Sequence, residues 1–306
     1  MITTVCPNPS IDRELHVNSF EAGGTNRVVK TVDKPGGKGI NVAHALTDMG
    51  LESRLIGFMP VCGSDQVRQA LQAWGIRTQF IDCDGALRAN MKIIDAHLGQ
   101  VTELNSSGPR VTDEQVRQLY DLAASCAQES DMLVLSGSIP PGAPADMYAR
   151  MVRLCRDKTR CVVDADGEAL RLAIGEHPYF IKPNQKELES AAGKRLNSRQ
   201  DVAAAARSLI SHGTRVVVVS MGKEGSMLVS EDEVYMASAP EVPVGTTVGA
   251  GDAMVAAVCA ALMRDDTPAD VLRHGAAAAA VAVSAGRDGS RYEALFESVE
   301  LTRLEI

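Results

Sequence analysis

The chain has 306 residues, 45% hydrophobic and 23% charged, a composition that excludes a disordered chain and leaves room for about two domains at roughly 150 residues each. Aromatic residues make up 4%, with Trp74 the only tryptophan, and the net charge is −8. Neither an aromatic platform nor a global basic surface is therefore offered to nucleic acid, and an anionic membrane finds no general attraction. An anionic substrate has to be held by a local cluster of cations.

In chain order, short apolar, β-branched runs predict strands at Thr3–Cys6, Arg54–Phe58, Met132–Leu135, Cys161–Asp164, Tyr179–Ile181 and Val216–Val219. Between and after them, helical patterns cover Ile40–Met49, Asp65–Trp74, Asp113–Ala127, Ala145–Arg156, Lys186–Ala191, Arg199–Ser211, Asp252–Met263 and Ala269–Ala285. Runs such as Val216-Val217-Val218-Val219 suit strands buried on both faces, and the alternation predicts an α/β, doubly wound, mainly parallel sheet flanked by helices. Two segments break the rhythm. Residues 13–33 read as two strands around Glu21-Ala22-Gly23-Gly24, and residues 78–104 as further strands turning at Asp84-Gly85 and Leu98-Gly99. Paired, they make either a small β-sheet lid or a decorative edge. The expected division is a main domain of residues 1–12, 34–77 and 105–306, with the lid formed by 13–33 and 78–104.

Seven cysteines are scattered singly, with no CxxC pair, which favours free thiols in a reducing cytoplasm over a disulfide framework or a zinc site. No basic and apolar leader is visible at the start, and the longest apolar helical runs fall short of the ~20 residues a membrane span needs.

Four turns, three of them glycine-bearing, carry the chemistry. Thr246-Thr247-Val248-Gly249-Ala250-Gly251-Asp252 precedes an Ala-rich helix. Backbone amides at a helix N-terminus make an anion site, and a carboxylate beside it can take the proton of an attacking hydroxyl; the plain alternative is that Asp252 caps the helix. In Lys182-Pro183-Asn184-Gln185-Lys186-Glu187, Asn184 and Glu187 share a face and offer hard oxygen ligands for Mg²⁺ or its waters, or else form a capping box. Ser220-Met221-Gly222-Lys223-Glu224-Gly225 follows a buried strand and allows close backbone approach to a ligand, or simply turns a hairpin. Pro35-Gly36-Gly37-Lys38-Gly39-Ile40-Asn41 lacks P-loop and GxGxxG spacing, and reads as a sugar cradle or a loop-to-helix turn.

Together with Asp12 in Asn8-Pro9-Ser10-Ile11-Asp12 and with Ser136-Gly137-Ser138-Ile139-Pro140-Pro141-Gly142, these turns occur in the order found in the ribokinase-like, PfkB-type carbohydrate kinases, and the chain resembles that family over essentially its whole length. Within it, the sequence resembles the hexose-phosphate branch. The resemblance implies a ribokinase-like fold with a β-sheet lid that clasps a second subunit into a homodimer. It also implies ATP and Mg²⁺ as cofactors. It assigns Asp252 as catalytic base and Gly249, Ala250 and Gly251 as the anion hole. It assigns Lys182, Asn184, Ser220, Gly222 and Gly225 to the nucleotide, and Asn184 and Glu187 to magnesium, directly or through water. Asp12, Gly37, Lys38, Asn41, Asn105 and Ser138 fall at sugar positions. Arg88 resembles the lid arginine that holds the substrate's phosphate, with Leu87 where a threonine commonly precedes it; Arg27 adds charge from its own lid or a partner's. Taken alone, either arginine also fits a solvated edge-strand charge. Val101-Thr102-Glu103-Leu104-Asn105-Ser106-Ser107-Gly108 resembles the fructose 1-phosphate pattern most, with tagatose 6-phosphate and fructose 6-phosphate as alternatives. A nucleoside kinase and a non-catalytic sugar-phosphate sensor remain as other classes.

Overall fold

A computed structural model describes residues 1–211, 213–245, 248–286 and 288–305. Thr246 and Thr247, at the head of the glycine turn, lie outside the described residues. Ten strands form one sheet. From one edge they run Leu301–Arg303, Val234–Ala237, Ser226–Val229, Val216–Ser220, Phe180–Ile181, Arg160–Asp164, Met132–Ser136, Ile2–Cys6, Ser53–Cys62 and Arg77–Ala86. From Val216–Ser220 to Arg77–Ala86 every pairing is parallel, and the remaining three strands are antiparallel.

The continuous apolar strands bury both faces, as expected. Val217 and Val219 point into a core with helices Asp113–Cys126, Met147–Cys155 and Arg199–Ser211. Val216 and Val218 point into the opposite core, with helices Lys38–Asp48, Ala250–Met263 and Pro268–Val283. Period-two alternation thus feeds two helical layers from one run of valines. Helix Ala250–Met263 is apolar almost all round and is buried between the sheet and its two neighbours, which fixes its N-terminus near the sheet's carboxyl edge. No helix among the described residues is long and apolar enough to cross a membrane. All seven cysteines are free, six of them buried.

A second sheet of four strands runs in the order Val28–Gly36, Ser10–Val17, Arg88–Asp95, Gln100–Leu104. Here the sequence reading needs correction. Residues 78–86, expected in the lid, belong to the large sheet: Arg77–Ala86 pairs in parallel with Ser53–Cys62 after the crossover helix Asp65–Ala73. A strand that returns through a crossover helix joins the sheet it left. As an edge strand it exposes many of its residues, and this hid it among the polar lid strands. The small sheet also starts earlier than expected, at Ser10, and ends its second strand later, at Gly36.

Candidate active site

Several site residues sit at carboxyl ends of parallel strands, where open α/β sheets bind ligands. Asp164 ends its strand, Lys182 follows Ile181, Ser220 ends the next strand, and Ser138 lies two residues past Ser136. Helices supply the rest. Lys38 and Asn41 are three apart on the first helix and share a face; Asp252 is the third residue of helix Ala250–Met263.

Asp252 is 6% exposed, and Asn41 Nδ2 donates to its Oδ2 at 2.7 Å. Burial, with the charge of Asp164 added, pushes its carboxyl up to about 6; Asn41, Lys38 and Lys182 oppose this without reversing it. The helix is capped by the left-handed Gly249 (φ 83°), with no side-chain capping bond. This leaves the first-turn amides outside the intrahelical ladder. A Cβ on Gly251 would stand 3.2 Å from Lys182 Nζ, so the ammonium lies against the helix's opening turn.

Asp164 is the main group that the sequence reading missed. It is 1% exposed and pairs with Lys38 Nζ at 3.3 Å and Lys182 Nζ at 3.4 Å. Burial alone would raise its carboxyl; the two ammonium groups overturn that and hold it below the usual carboxylate range. Burial works against the Lys38 charge, but Asp164, Asp252 and Glu187 outweigh it, so this lysine binds its proton above the ordinary value. Two cations and two carboxylates therefore meet here, with the charge of Glu187 felt by Lys38. The available signal was position: an aspartate directly after the run Cys161-Val162-Val163 stands where a parallel strand delivers its last side chain.

On the small sheet, Asp12 accepts from Ser10 Oγ, Asn90 Nδ2 and Lys92 Nζ, each at 3.1 Å. Gly36 lies close beside it: a Cβ there would force the Asp12 carboxylate and the Ser10 hydroxyl to shift. Gly37 caps the first helix at φ 109°, a conformation that favours glycine. Asp12, Asn41, Lys92 and Gly249 all line a cavity of about 1010 Å³ between the small sheet and the helical layer. The small sheet thus forms one wall of this cavity.

Other expected residues are placed less directly. Arg88 donates to the carbonyls of Asn8 (2.9 Å), Pro9 (3.3 Å) and Ser106 (2.8 Å), and weakly to Asn90 Oδ1 (3.4 Å); it lines a second cavity of about 510 Å³ with Arg110. Ser138 Oγ accepts from Asn8 Nδ2 at 3.1 Å. Arg27 and Asn105 are exposed, and neither lines either cavity. Asn184 and Glu187 form a full capping box, at 2.9 Å and 2.8 Å. Asn184 bridges to Ser220, which brings the box beside the next strand end. The Ser220–Gly225 turn is a hairpin with a 3-10 turn at Gly222–Glu224; Gly225 takes φ 96° against the Ala237 carbonyl. Among the described residues, no group of three His, Cys, Asp or Glu side chains is assembled for a metal ion.

Comparison with known proteins matches residues 8–294 to the model of the pfkB family carbohydrate kinases. The chain belongs to the pfkB family. Similar pfkB relatives include a 1-phosphofructokinase of Bacillus subtilis (strain 168), 33% identical over 99% of this chain and 100% of its own length. A 1-phosphofructokinase of Rhodobacter capsulatus is 37% identical over 83% of this chain and 81% of its own. Among solved structures, phosphofructokinase-2 from Escherichia coli in complex with substrates and products superposes with TM-score 0.92 at 27% identity, over 97% of this chain and 98% of that one. The ribokinase-like architecture read from the motifs is the fold of this pfkB kinase.

Proposed function

We propose that the protein transfers the γ-phosphoryl group of ATP to the 6-hydroxyl of fructose 1-phosphate, giving fructose 1,6-bisphosphate and ADP. The observation that carries the sugar assignment is the end-to-end similarity to proteins named 1-phosphofructokinase. The step balances as an in-line displacement: the hydroxyl oxygen bonds phosphorus, the bridging oxygen leaves with ADP, and the hydroxyl proton passes to a base. Asp252 is suited to be that base, because a carboxyl shifted to about 6 is ionised at neutral pH yet basic enough to take a proton. Asn41 occupies one carboxylate oxygen and leaves the other for the proton. The opening amides of Gly249, Ala250 and Gly251 would receive the moving phosphoryl group, with Lys38 and Lys182 adding positive charge and Asp164 fixing both.

Magnesium fits this donor set when most of its ligands are phosphate oxygens and water. Glu187 is close enough for Lys38 to feel its charge, and buried Asp164 Oδ2 has no hydrogen-bond partner. Asn184 and Glu187 would hold the ion through water, since each already has one oxygen in the capping box. Bound with the nucleotide, it neutralises charge between the β- and γ-phosphates. Ser220, Gly222 and Gly225 would meet the nucleotide at the strand end. Asp12, Gly37, Lys38, Asn41, Asn105 and Ser138 would line the sugar's path. Arg88 would take the sugar's phosphate by giving up its long bond to Asn90, and Arg27 would act across a dimer. Val28, Val29, Val101 and Leu104 leave apolar surface exposed on the small sheet, which supports a second copy covering it. Seven free thiols suit a cytoplasmic enzyme.

The test is steady-state kinetics on fructose 1-phosphate, tagatose 6-phosphate, fructose 6-phosphate, free fructose and adenosine. The highest kcat/KM is expected on fructose 1-phosphate. A preference for free fructose or adenosine overturns the phosphosugar reading, and binding without any turnover makes the protein a sensor.

A further inference from the structure

We propose that Lys92 is a positioning residue of the sugar site: it clamps the Asp12 carboxylate so that a single acceptor position is presented to the substrate. The proposal rests on the reading of Asp12 as the carboxylate that accepts sugar hydroxyls. Lys92 lies on strand Arg88–Asp95, which runs parallel to Ser10–Val17 with Asp12 opposite Asn90 and Glu14 opposite Lys92. Its side chain is 7% exposed, a rare state for lysine and one that demands a partner. That partner is Asp12 Oδ2, at 3.1 Å. The other ion pairs of the small sheet are more open: the cations Arg13 and Lys34 are 40% and 48% exposed, where such pairs contribute little.

The remaining contacts define what Asp12 has left to give. Its Oδ1 already accepts from Ser10 Oγ and Asn90 Nδ2. A carboxylate has about four lone-pair positions, and the protein fills three of them. One is left, on Oδ2, for one substrate hydroxyl. Gly36 leaves room for the carboxylate in this position, since a Cβ there would stand too close to Asp12 Oδ1. Asp12 and Lys92 both line that cavity. Lys92 also offsets the Asp12 charge, so a sugar phosphate with about two negative charges does not meet an uncompensated carboxylate. Every donor in the clamp lies on two adjacent strands, so the clamp moves as one body with the small sheet.

The test is a double-mutant cycle with Lys92→Met and Asp12→Asn, run on whichever hexose phosphate the wild type turns over best. A wrong substrate assignment then shows in the wild-type ranking, and a wrong role for Lys92 shows in the cycle. Lys92→Met is expected to raise KM for the sugar phosphate about ten- to hundredfold, with kcat within a few-fold and KM for ATP within about twofold. In the Asp12→Asn background the same change is expected to shrink below about threefold, because the clamp has lost its object. Titration of Trp74 fluorescence, from the lone tryptophan on the wall of the same cavity, gives the corresponding dissociation constants without turnover. Lys92→Arg, which keeps the charge, is expected to recover part of the loss; should Lys92→Met fail to fold, Lys92→Gln replaces it in the cycle. Additive effects of the two substitutions, an unchanged sugar KM, or equal loss toward ATP overturn the proposal.

Discussion

Asp252→Asn separates chemistry from stability, because it should move them in opposite directions. The amide keeps the side chain's shape and still offers an oxygen to Asn41, while Asp164 keeps Lys38 and Lys182 paired. What disappears is a proton acceptor and a buried charge. Loss of a general base costs ~10²–10⁴-fold in turnover. The stability argument runs through the proton. The folded protein binds it with an affinity near 6 against 3.8 for a free carboxyl, so keeping Asp252 charged weakens folding above pH 6, and the penalty fades as pH falls from 6 towards 4. Two units at about 1.36 kcal/mol each give about 3 kcal/mol at neutral pH. The new amide NH₂ beside two ammonium groups returns part of this, leaving a gain of about 1–3 kcal/mol. With an unfolding entropy of about 0.6 kcal/mol per kelvin for a chain of this size, Tm should rise by about 2–5 °C at pH 7.5. Scanning calorimetry of both proteins at pH 7.5 and pH 4.5 should show that rise and its shrinkage in acid, while wild-type kcat should fall below pH 6. Turnover within tenfold of wild type refutes the base assignment; a Tm lowered at pH 7.5 refutes the buried-charge argument.

Two further substitutions probe other parts of the site. Arg88→Ala should raise KM for the sugar phosphate by one to two orders of magnitude and leave KM for ATP nearly unchanged, since charge-assisted hydrogen bonds are worth roughly 1.5–3 kcal/mol each; equal loss on free fructose would show that the arginine only braces the carbonyls of Asn8, Pro9 and Ser106. Glu187→Gln keeps a capping box, because glutamine serves at that position, and removes only the charge. It should shift the magnesium concentration needed for half-maximal rate several-fold with no fall in Tm, and an unchanged magnesium titration would reduce Glu187 to a helix cap.

Most of the large sheet was legible because its strands bury both faces and therefore appear as uninterrupted apolar runs, Val216–Val219 above all. Three strands escaped, Ser226–Val229, Val234–Ala237 and Leu301–Arg303; they form the antiparallel end of the sheet and are only three or four residues long, too short for an apolar run to stand out. Arg77–Ala86, at the opposite edge, was assigned to the wrong sheet because it is largely exposed and polar. In the site, glycine turns were legible because left-handed backbone at Gly249 and Gly225 restricts the choice of residue. Asp164 and Lys92 carry no such mark. A lone aspartate or lysine gains meaning only when three-dimensional pairing brings it to Lys182 or to Asp12, and that pairing is not local in sequence.

The small sheet's central pairing has a consequence for how the molecule is assembled. Ser10–Val17 runs parallel to Arg88–Asp95, and between the hairpin's end at Gly36 and Arg88 the chain builds helix Lys38–Asp48 and a βαβ unit of the other sheet. During synthesis, the hairpin Ser10–Gly36 therefore emerges long before its parallel neighbour and must wait as a two-stranded ribbon, which is marginal in water. It waits with Val28 and Val29 uncovered. Pairing between segments so distant in the chain is slow and follows, rather than guides, local structure. All four strands of the wall that carries Asp12 lie within residues 10–104, whereas seven of the large sheet's ten strands follow residue 131, so the wall's sequence is complete while most of the large sheet is still unmade. The small sheet excised by joining its two segments has no reason to fold alone.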